Sequence, residues 1–176
     1  HISTNRSFIT DESSCFNLKI RTTPSQLHIN IFNKVGFISC PLDVRDFKKA
    51  LSNGEIDAQE NPLTNFWNFG VQYSQKYLTL SSHLFGFCLF VINRDFFNKL
   101  QDQEQEMILE AAKETINYQY MLAEEDDYKL IDMIKKENVQ IREMTILERS
   151  NFLEKVKEFH NNFFLQFPKM NFNNEI

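Results

Sequence analysis

The chain has 176 residues, enough to bury one sizeable hydrophobic core, and its content of 42% hydrophobic and 24% charged residues argues against disorder. Its 24 acidic and 19 basic residues give a formal net charge of -5. The sequence contains no basic stripe, so we expect no nucleic acid partner. The longest apolar run, residues 84–92, has the length of a strand and not the roughly 20 residues of a membrane span.

The start of the chain carries no clear structural pattern. Residues 1–14 are polar and without periodicity, which predicts a tail or a linker. No signal peptide precedes the first predicted strand, as expected of a mature or truncated product. Cys15, Cys40 and Cys88 are odd in number and widely spaced, so we interpret them as small buried hydrophobes rather than as disulfide partners or metal ligands.

The next part of the chain alternates between predicted strands and helices. Apolar and polar residues alternate over 17–22, as in a half-buried strand, and residues 37–42 predict a second strand. Residues 23–26 have the pattern of a capping box with proline at the first helical position, which predicts a helix between these strands. Asp43 is predicted to cap a short helix that ends at residues 53–54.

The stretch 54–63 combines a helix stop, a short strand and a helix start. Ile56 and Ala58 alternate with polar neighbours, and Asn61 followed by Pro62 predicts an N-cap with proline at the first helical position. The resulting order of strands and helices predicts parallel strands joined by right-handed crossovers. Ligands bind where the carboxyl ends of such strands meet helix N-termini, so Asn61 lies at a candidate binding position.

The second half of the sequence predicts longer elements. Residues 63–70 predict a short aromatic helix, and residues 75–92 an extended region that fits one long strand or two strands equally well. A helix over 103–136, capped by Asp102 with Gln105, would be about 50 Å long at 1.5 Å per residue. Because a small domain is only about 30 Å across, we expect this helix to extend beyond a single small core.

The C-terminal region contains an acidic run and a final strand and helix. We interpret the acidic residues 124–127 as a solvated stretch rather than a metal site, because no histidine lies near them in sequence. Residues 139–141 predict a strand, and a capping box at 145–148 opens a helix. The apolar face of this helix consists of Phe152, Val156, Phe159, Phe163 and Phe167, and Pro168 ends it.

Three strings of the sequence together resemble a known family. They are Leu18-Lys-Ile-Arg21, the string Ala50-Leu-Ser-Asn-Gly-Glu-Ile-Asp-Ala-Gln-Glu-Asn-Pro62, and Gln75-Lys-Tyr-Leu-Thr-Leu-Ser-Ser-His83. In this combination and at this separation they strongly resemble the solute-binding proteins of tripartite ATP-independent periplasmic (TRAP) transporters, the DctP-like family. Val91-Ile-Asn93, Glu110-Ala-Ala-Lys113 and the long helix continue the match, which covers about residues 17–163.

The resemblance implies an α/β fold of the periplasmic solute-binding-protein type, with two lobes that close on an organic acid. The acid is often a dicarboxylate, a keto acid or a sugar acid, and it is passed to a TRAP membrane permease. A periplasmic location with the signal peptide removed is implied, and neither a cofactor nor a metal is required. Family members begin with a lobe-forming region ahead of the Leu18 strand, so we expect a C-terminal portion whose further partner is the missing N-terminal lobe.

This comparison predicts five parts of the chain. Residues 1–16 would be a tail or linker, and residues 17–74 an α/β ligand-binding lobe. Residues 75–100 would contain strands that cross the hinge and part of the other lobe. Residues 101–137 would form a helix that spans both lobes, and residues 138–176 a strand and a helix that pack on the lobes.

The resemblance also indicates candidate ligand-binding residues. Arg21 matches the family arginine that pairs with the ligand carboxylate, for which a planar guanidinium offers two parallel N–H donors. The alternative is a surface arginine paired with a nearby acid. Asn61 matches the asparagine that hydrogen-bonds the acid, a role compatible with capping a helix. Ser25 and Phe85 would line the pocket, whereas Val44 stands where the family has an aromatic residue.

Two other classes of function are alternatives to the receptor. An enzyme could use Cys40 or Cys88 with His83, but no motif places these residues together, and His83 is expected to be a structural hydrogen-bonding residue. The other alternative is a truncated or vestigial half receptor whose exposed phenylalanine-rich faces bind a partner. A carboxylate held by Arg21 without a second lobe would stay hydrated and weakly bound.

Overall fold

The computed structural model describes residues 1–165, which form one six-stranded mixed sheet with helices on both faces. The strands are β1 (Ile2–Thr4), β2 (Lys19–Thr22), β3 (Ile38–Pro41), β4 (Ala58–Glu60), β5 (Tyr77–Leu80) and β6 (Gln140–Glu143). The helices are α1 (Glu12–Cys15), α2 (Gln26–Lys34), α3 (Phe47–Ser52), α4 (Leu63–Asn68), α5 (Arg94–Phe97), α6 (Asp102–Lys136) and α7 (Ile146–Phe164), and Val71–Tyr73 forms a single 3-10 turn.

The strand order in the sheet is β3-β2-β4-β1-β5-β6. β2 pairs in parallel with both β3 and β4, and β5 pairs in parallel with β6. The prediction of parallel strands in the β2-α2-β3-α3-β4 segment is therefore confirmed, together with the α/β fold class. β1 lies between β4 and β5 and is antiparallel to both.

Residues 1–16 are not the tail that the sequence predicted. β1 is buried along its whole length in the middle of the sheet, and Ile9 and Cys15 are buried in the core. A strand of three residues is too short to show an alternation of apolar and polar side chains. Its polar residues Ser3 and Thr4 can be buried because both form hydrogen bonds. Ser3 accepts a hydrogen bond from Gln59, and Thr4 donates one to the Ser7 carbonyl.

Several predicted helix caps are also wrong in detail. α2 begins at Gln26 with Ser25 as its N-cap, and Thr23 bonds instead to the His28 ring. The N-cap of α3 is Asp46 and not Asp43. Pro62 and not Asn61 occupies the N-cap position of α4, because the Asn61 side chain bonds to Gln59 and Asn65.

Two hydrophobic clusters occupy opposite faces of the sheet. The first includes Phe47, Phe66 and Ile134, and joins α3, α4 and the C-terminal end of α6. The second includes Ile20 and Phe32 and joins α1 and α2, with Phe152 and Val156 of α7 packed against it. The predicted capping box of α7 is confirmed by reciprocal bonds between Thr145 and Glu148. The predicted Phe167 and Pro168 lie outside the described residues.

The extended region predicted over residues 75–92 is only partly formed. β5 ends at Leu80, and residues 82–92 have no regular structure and are exposed. Seven of their side chains are large exposed hydrophobics: Leu84, Phe85, Phe87, Leu89, Phe90, Val91 and Ile92. A strand needs a neighbouring strand for its backbone hydrogen bonds, and none of the described strands lies beside this apolar run.

The long helix is confirmed, and it extends well beyond the core. α6 has 35 residues, of which only Leu130 and Ile134, near its C-terminus, are buried. Its N-terminal capping box uses Gln101 and Glu104, one residue earlier than predicted. Most of the helix before Leu130 is exposed. Within residues 1–165, none of the helices combines the length and the apolar character that a membrane span needs.

Candidate functional site

The two principal candidate residues lie on neighbouring strands. Ile20 in β2 is in register with Ala58 in β4, which places Arg21 beside Gln59 on the opposite face of the sheet from Ile20. Asn61 follows β4 two residues after Gln59 and bonds to the Gln59 side chain, so it lies on the same face. The structure therefore brings Arg21 and Asn61 to one face at the carboxyl ends of adjacent parallel strands.

Arg21 is a buried cation that forms no ion pair within residues 1–165. Only 7% of the residue is exposed, and its Nε donates a 3.0 Å hydrogen bond to the Leu42 carbonyl. The guanidinium carbon lies 5.5 Å from the centroid of the Phe47 ring. No acidic group of residues 1–165 lies within salt-bridge distance, so the predicted alternative of a surface arginine paired with an acid is wrong.

The electrostatic surroundings of Arg21 are consistent with this packing. Burial lowers the pKa of Arg21, and the negative charges of Glu60 and Asp43 counteract part of that effect. Because Nε is already bonded, the end of the guanidinium formed by Nη1 and Nη2 keeps two parallel donors for an incoming anion.

Asn61 belongs to a row of buried side-chain hydrogen bonds. Its Nδ2 donates to Gln59 Oε1 at 2.5 Å, and its Oδ1 accepts from Asn65 Nδ2 at 3.3 Å. Gln59 Nε2 in turn donates to Ser3 Oγ at 2.8 Å. Sequence reasoning missed this row, because it needs the pairing of β1 with β4 and β1 itself was not predicted.

The other face of β4 carries a second buried polar cluster, around Glu60. Glu60 Oε1 lies 3.4 Å from His28 Nε2, and Glu60 Oε2 lies 3.5 Å from His83 Nε2. His83 Nδ1 lies 2.7 Å from Ser81 Oγ, and both imidazole rings meet the ring of Phe32 edge to face. His83 thus has the contacts of a structural hydrogen-bonding residue. The alternation Gln59-Glu60-Asn61 could have predicted the face of Glu60 but not its distant histidine partners.

The protonation of this cluster follows from its contacts. Burial acts to raise the pKa of Glu60, but contact with His83 and the charges of His83 and His28 outweigh it and lower the pKa overall. Burial lowers the pKa of His28, with the charge of Glu60 opposing. His28 Nδ1 lies 2.9 Å from Thr23 Oγ1, and His28 Nε2 lies on the side of Glu60 without a hydrogen-bond partner among residues 1–165.

Two of the predicted pocket residues are not brought to this position. Ser25 is exposed at the start of α2, and Phe85 is 79% exposed within the apolar run after β5. Val44, which departs from the family pattern, is also exposed. Four surface hollows of about 530 to 730 Å³ lie elsewhere, and none of them is lined by Arg21 or Asn61.

The prediction that all three cysteines are buried is wrong: Cys15 is buried, but Cys40 is partly buried and Cys88 is exposed. Cys40 lies on β3, and three strands separate it from β5, which His83 follows. Burial raises the pKa of the Cys40 thiol, which disfavours the reactive thiolate. The described residues contain no group of three histidine, cysteine, aspartate or glutamate side chains that could hold a metal ion.

Comparison with known proteins shows which family the chain matches. Residues 2–166 match the family described as bacterial extracellular solute-binding protein, family 7, or DctP. The chain belongs to the DctP family. A 2,3-diketo-L-gulonate-binding periplasmic protein of Escherichia coli, YiaO, is 35% identical over 135 residues, which cover 77% of this chain and 40% of that protein.

Solved structures of DctP-family proteins share the fold. A TRAP periplasmic solute-binding protein from Ochrobactrum anthropi is 31% identical with a TM-score of 0.81, covering 92% of this chain and 51% of that one. The sugar acid binding protein DctPAm from Advenella mimigardefordensis, in complex with galactonate, is 25% identical with a TM-score of 0.82, covering 96% and 54%. The DctP-family chain described here thus spans about half the length of these relatives.

Proposed function

We propose that this DctP-family chain is part of a periplasmic receptor that binds an organic acid through its carboxylate and delivers it to a TRAP membrane permease. The observation that carries the proposal is Arg21, a buried cation at a strand end with no acidic partner within salt-bridge distance among residues 1–165. Burying a charge without a partner is costly, so a fold retains such a residue most readily when a ligand supplies the opposite charge.

The geometry around Arg21 suits a carboxylate. The bond from Nε to the Leu42 carbonyl and the contact with the Phe47 ring hold the guanidinium in place, and the Nη1 and Nη2 end remains for two carboxylate oxygens. In a closed receptor, exclusion of water would strengthen these charge-assisted bonds. Asn61 would add an amide N–H donor to the same ligand.

The relatives favour an acidic sugar as the ligand class. The E. coli relative is named for binding 2,3-diketo-L-gulonate, and the Advenella protein was solved with galactonate. Both compounds combine a carboxylate with several hydroxyl groups. A ligand of this kind would meet Arg21 with its carboxylate, and the second lobe would provide further contacts to its hydroxyls. Ser25 and Phe85 stay proposed pocket residues for the assembled receptor.

The second candidate function is an interaction module, and the apolar run after β5 favours it. Side chains such as Phe87, 88% exposed, and Leu89, 83% exposed, are normally covered in a stable protein. The exposed part of α6 adds further apolar side chains. The chain would then bind the second lobe of the receptor through residues 84–92 and α6, and would bind an acid only when joined to that lobe.

Calorimetry with a matched pair of ligands tests the receptor proposal. Galactonate has a carboxylate where galactitol has a terminal hydroxymethyl group. Each compound would be titrated into this chain alone and into the chain assembled with the second lobe. We expect galactonate to bind the assembled receptor and galactitol to bind at least about a hundredfold more weakly. Equal affinities for the two compounds would contradict carboxylate recognition, and binding to the isolated chain would contradict the interaction-module reading.

A further inference from the structure

We propose that Gln59 is a positioning residue that holds the Asn61 amide in one orientation, so that a free N–H of Asn61 faces the bound acid. This inference rests on the proposed function where it concerns the acid. The hydrogen-bond row that carries it is a property of the chain without ligand, and it can be tested separately.

Gln59 is placed to act as an anchor. It is fully buried in the central strand β4, in register with Ser3 of β1, and its Nε2 donates a 2.8 Å hydrogen bond to Ser3 Oγ. In this orientation Gln59 donates to Ser3 and turns its other amide atom, Oε1, towards Asn61 Nδ2. Gln59 Oε1 is therefore directed at Asn61 and can only accept a hydrogen bond.

The partner on the other side of Asn61 reinforces the same orientation. Asn65, in the first turn of α4, donates from Nδ2 to Asn61 Oδ1 at 3.3 Å. The row thus runs Asn65 to Asn61 to Gln59 to Ser3, and each side chain donates to the next. Asn61 is bonded from both ends of its amide, and its 9% exposure leaves little room for rotation.

The orientation of the Asn61 amide decides whether a proton or a partly negative oxygen faces the ligand. A primary amide nitrogen has two protons, and Gln59 takes one of those on Asn61, so the second remains for a carboxylate oxygen. If the amide turned over, Oδ1 and Nδ2 would exchange positions. The partly negative Oδ1 would then stand where the free N–H is proposed to meet the acid. Holding the amide therefore removes an orientation that repels an anion, without Gln59 touching the ligand.

A direct test measures the ligand-free chain by NMR. In a sample labelled with ¹⁵N at asparagine and glutamine, the side-chain amide protons of Asn61 should exchange slowly with solvent. Gln59→Met, which keeps the length of the side chain but replaces the amide oxygen with a weakly accepting sulfur, should increase that exchange rate at least about tenfold. The control is Gln75→Met, because Gln75 is equally buried but its side chain donates to the carbonyl of its neighbour Ser74 and not to Asn61. Unchanged exchange at Asn61 in the Gln59→Met chain would overturn the proposal.

A double-mutant cycle then tests the action through Asn61 in the assembled receptor, with galactonate as the probe. We expect Gln59→Met to weaken binding about tenfold in the wild-type background and to have no effect in the Asn61→Ala background. An equal loss in both backgrounds would overturn the positioning role. If Asn61→Ala alone left the affinity unchanged, the ligand-binding role of Asn61 would fail, and the exchange measurement would still decide whether Gln59 holds its amide.

Discussion

The guanidinium of Arg21 lies over the ring of Phe47, with 5.5 Å between the guanidinium carbon and the ring centroid. The same ring meets Phe69 edge to face, at 5.6 Å between centroids. Among residues 1–165 the cation therefore packs on an aromatic ring, which a second ring supports, and not on a carboxylate. A cation–π contact stabilises a buried guanidinium by about 0.5 to 2 kcal/mol and leaves its N–H donors available.

The first prediction concerns this aromatic support. We expect Phe47→Leu to lower the free energy of unfolding by about 1 to 2 kcal/mol and to weaken acid binding several-fold, since Arg21 loses its platform. Phe66→Leu is the matched control, because Phe66 is equally buried in the same cluster, whereas the cation–π contact of Arg21 is with the Phe47 ring. Urea unfolding and calorimetry on both variants check this. Equal effects of the two variants on acid binding would contradict a specific role for Phe47.

The second prediction concerns the dependence of stability on pH. The pKa of Glu60 is lowered in the folded chain, so the stability it contributes is present above its ordinary value of 4.5 and is lost as the pH falls through its folded-state pKa. The pKa of His28 is also lowered, so the unfolded chain binds a proton more readily below its ordinary value of 6.5. Stability should therefore fall in two stages as the pH decreases from about 7.

Urea unfolding at a series of pH values checks this dependence. His28→Gln should remove the loss of stability that begins near pH 6.5, and Glu60→Gln the loss below 4.5. The corresponding substitution Glu125→Gln is the control, because that exposed residue forms only a surface ion pair with Lys129. A profile in which His28→Gln and wild type coincide over the whole range would show that His28 does not produce the first stage.

The third prediction concerns the apolar run after β5. Because Phe87 and Phe90 are 88% and 70% exposed, replacing both with serine should reduce the binding of a hydrophobic dye and the self-association of the isolated chain. The melting temperature should change by no more than about 2 °C, since few core contacts are lost. Leu78→Ser, at a fully buried position in β5, should instead destabilise the chain by about 3 kcal/mol or more.

Dye fluorescence and gel filtration with light scattering measure these effects. Unchanged dye binding in the double variant would show that another surface accounts for association. A large drop in melting temperature would show that the run packs on the body of the chain, contrary to its exposure.

The sequence predicts those elements that are long enough to show a hydrophobic periodicity. The β2 to β4 segment, α6 and α7 were predicted, because each has an apolar period of several residues and its neighbours along the chain are also neighbours in space. β1 was missed, since three residues show no period and its burial depends on strands more than 50 residues away. The extended region predicted over residues 75–92 is a strand only at 77–80, because composition cannot reveal which residues have a neighbouring strand to pair with.

The candidate site was predicted only in part. Resemblance to the DctP family indicated Arg21 and Asn61, and strand alternation agrees that they share a face. The support around them was not predictable: the contact with Phe47 depends on the packing of α3, and the row from Asn65 to Ser3 depends on the undetected β1. Glu60 meets His28 and His83 only because α2 and the segment after β5 converge on one face of the sheet.

The affinity of the assembled receptor for an acidic sugar, measured by calorimetry for wild type, Arg21→Lys and Arg21→Ala, tests the central claim most directly. Arg45→Lys is the control, because Arg45 is exposed and paired with Asp43. With galactonate, we predict a loss of at least about tenfold for Arg21→Lys, which keeps the charge but not the two parallel donors, and about a hundredfold or more for Arg21→Ala. The same affinity for wild type and both Arg21 variants would contradict the account.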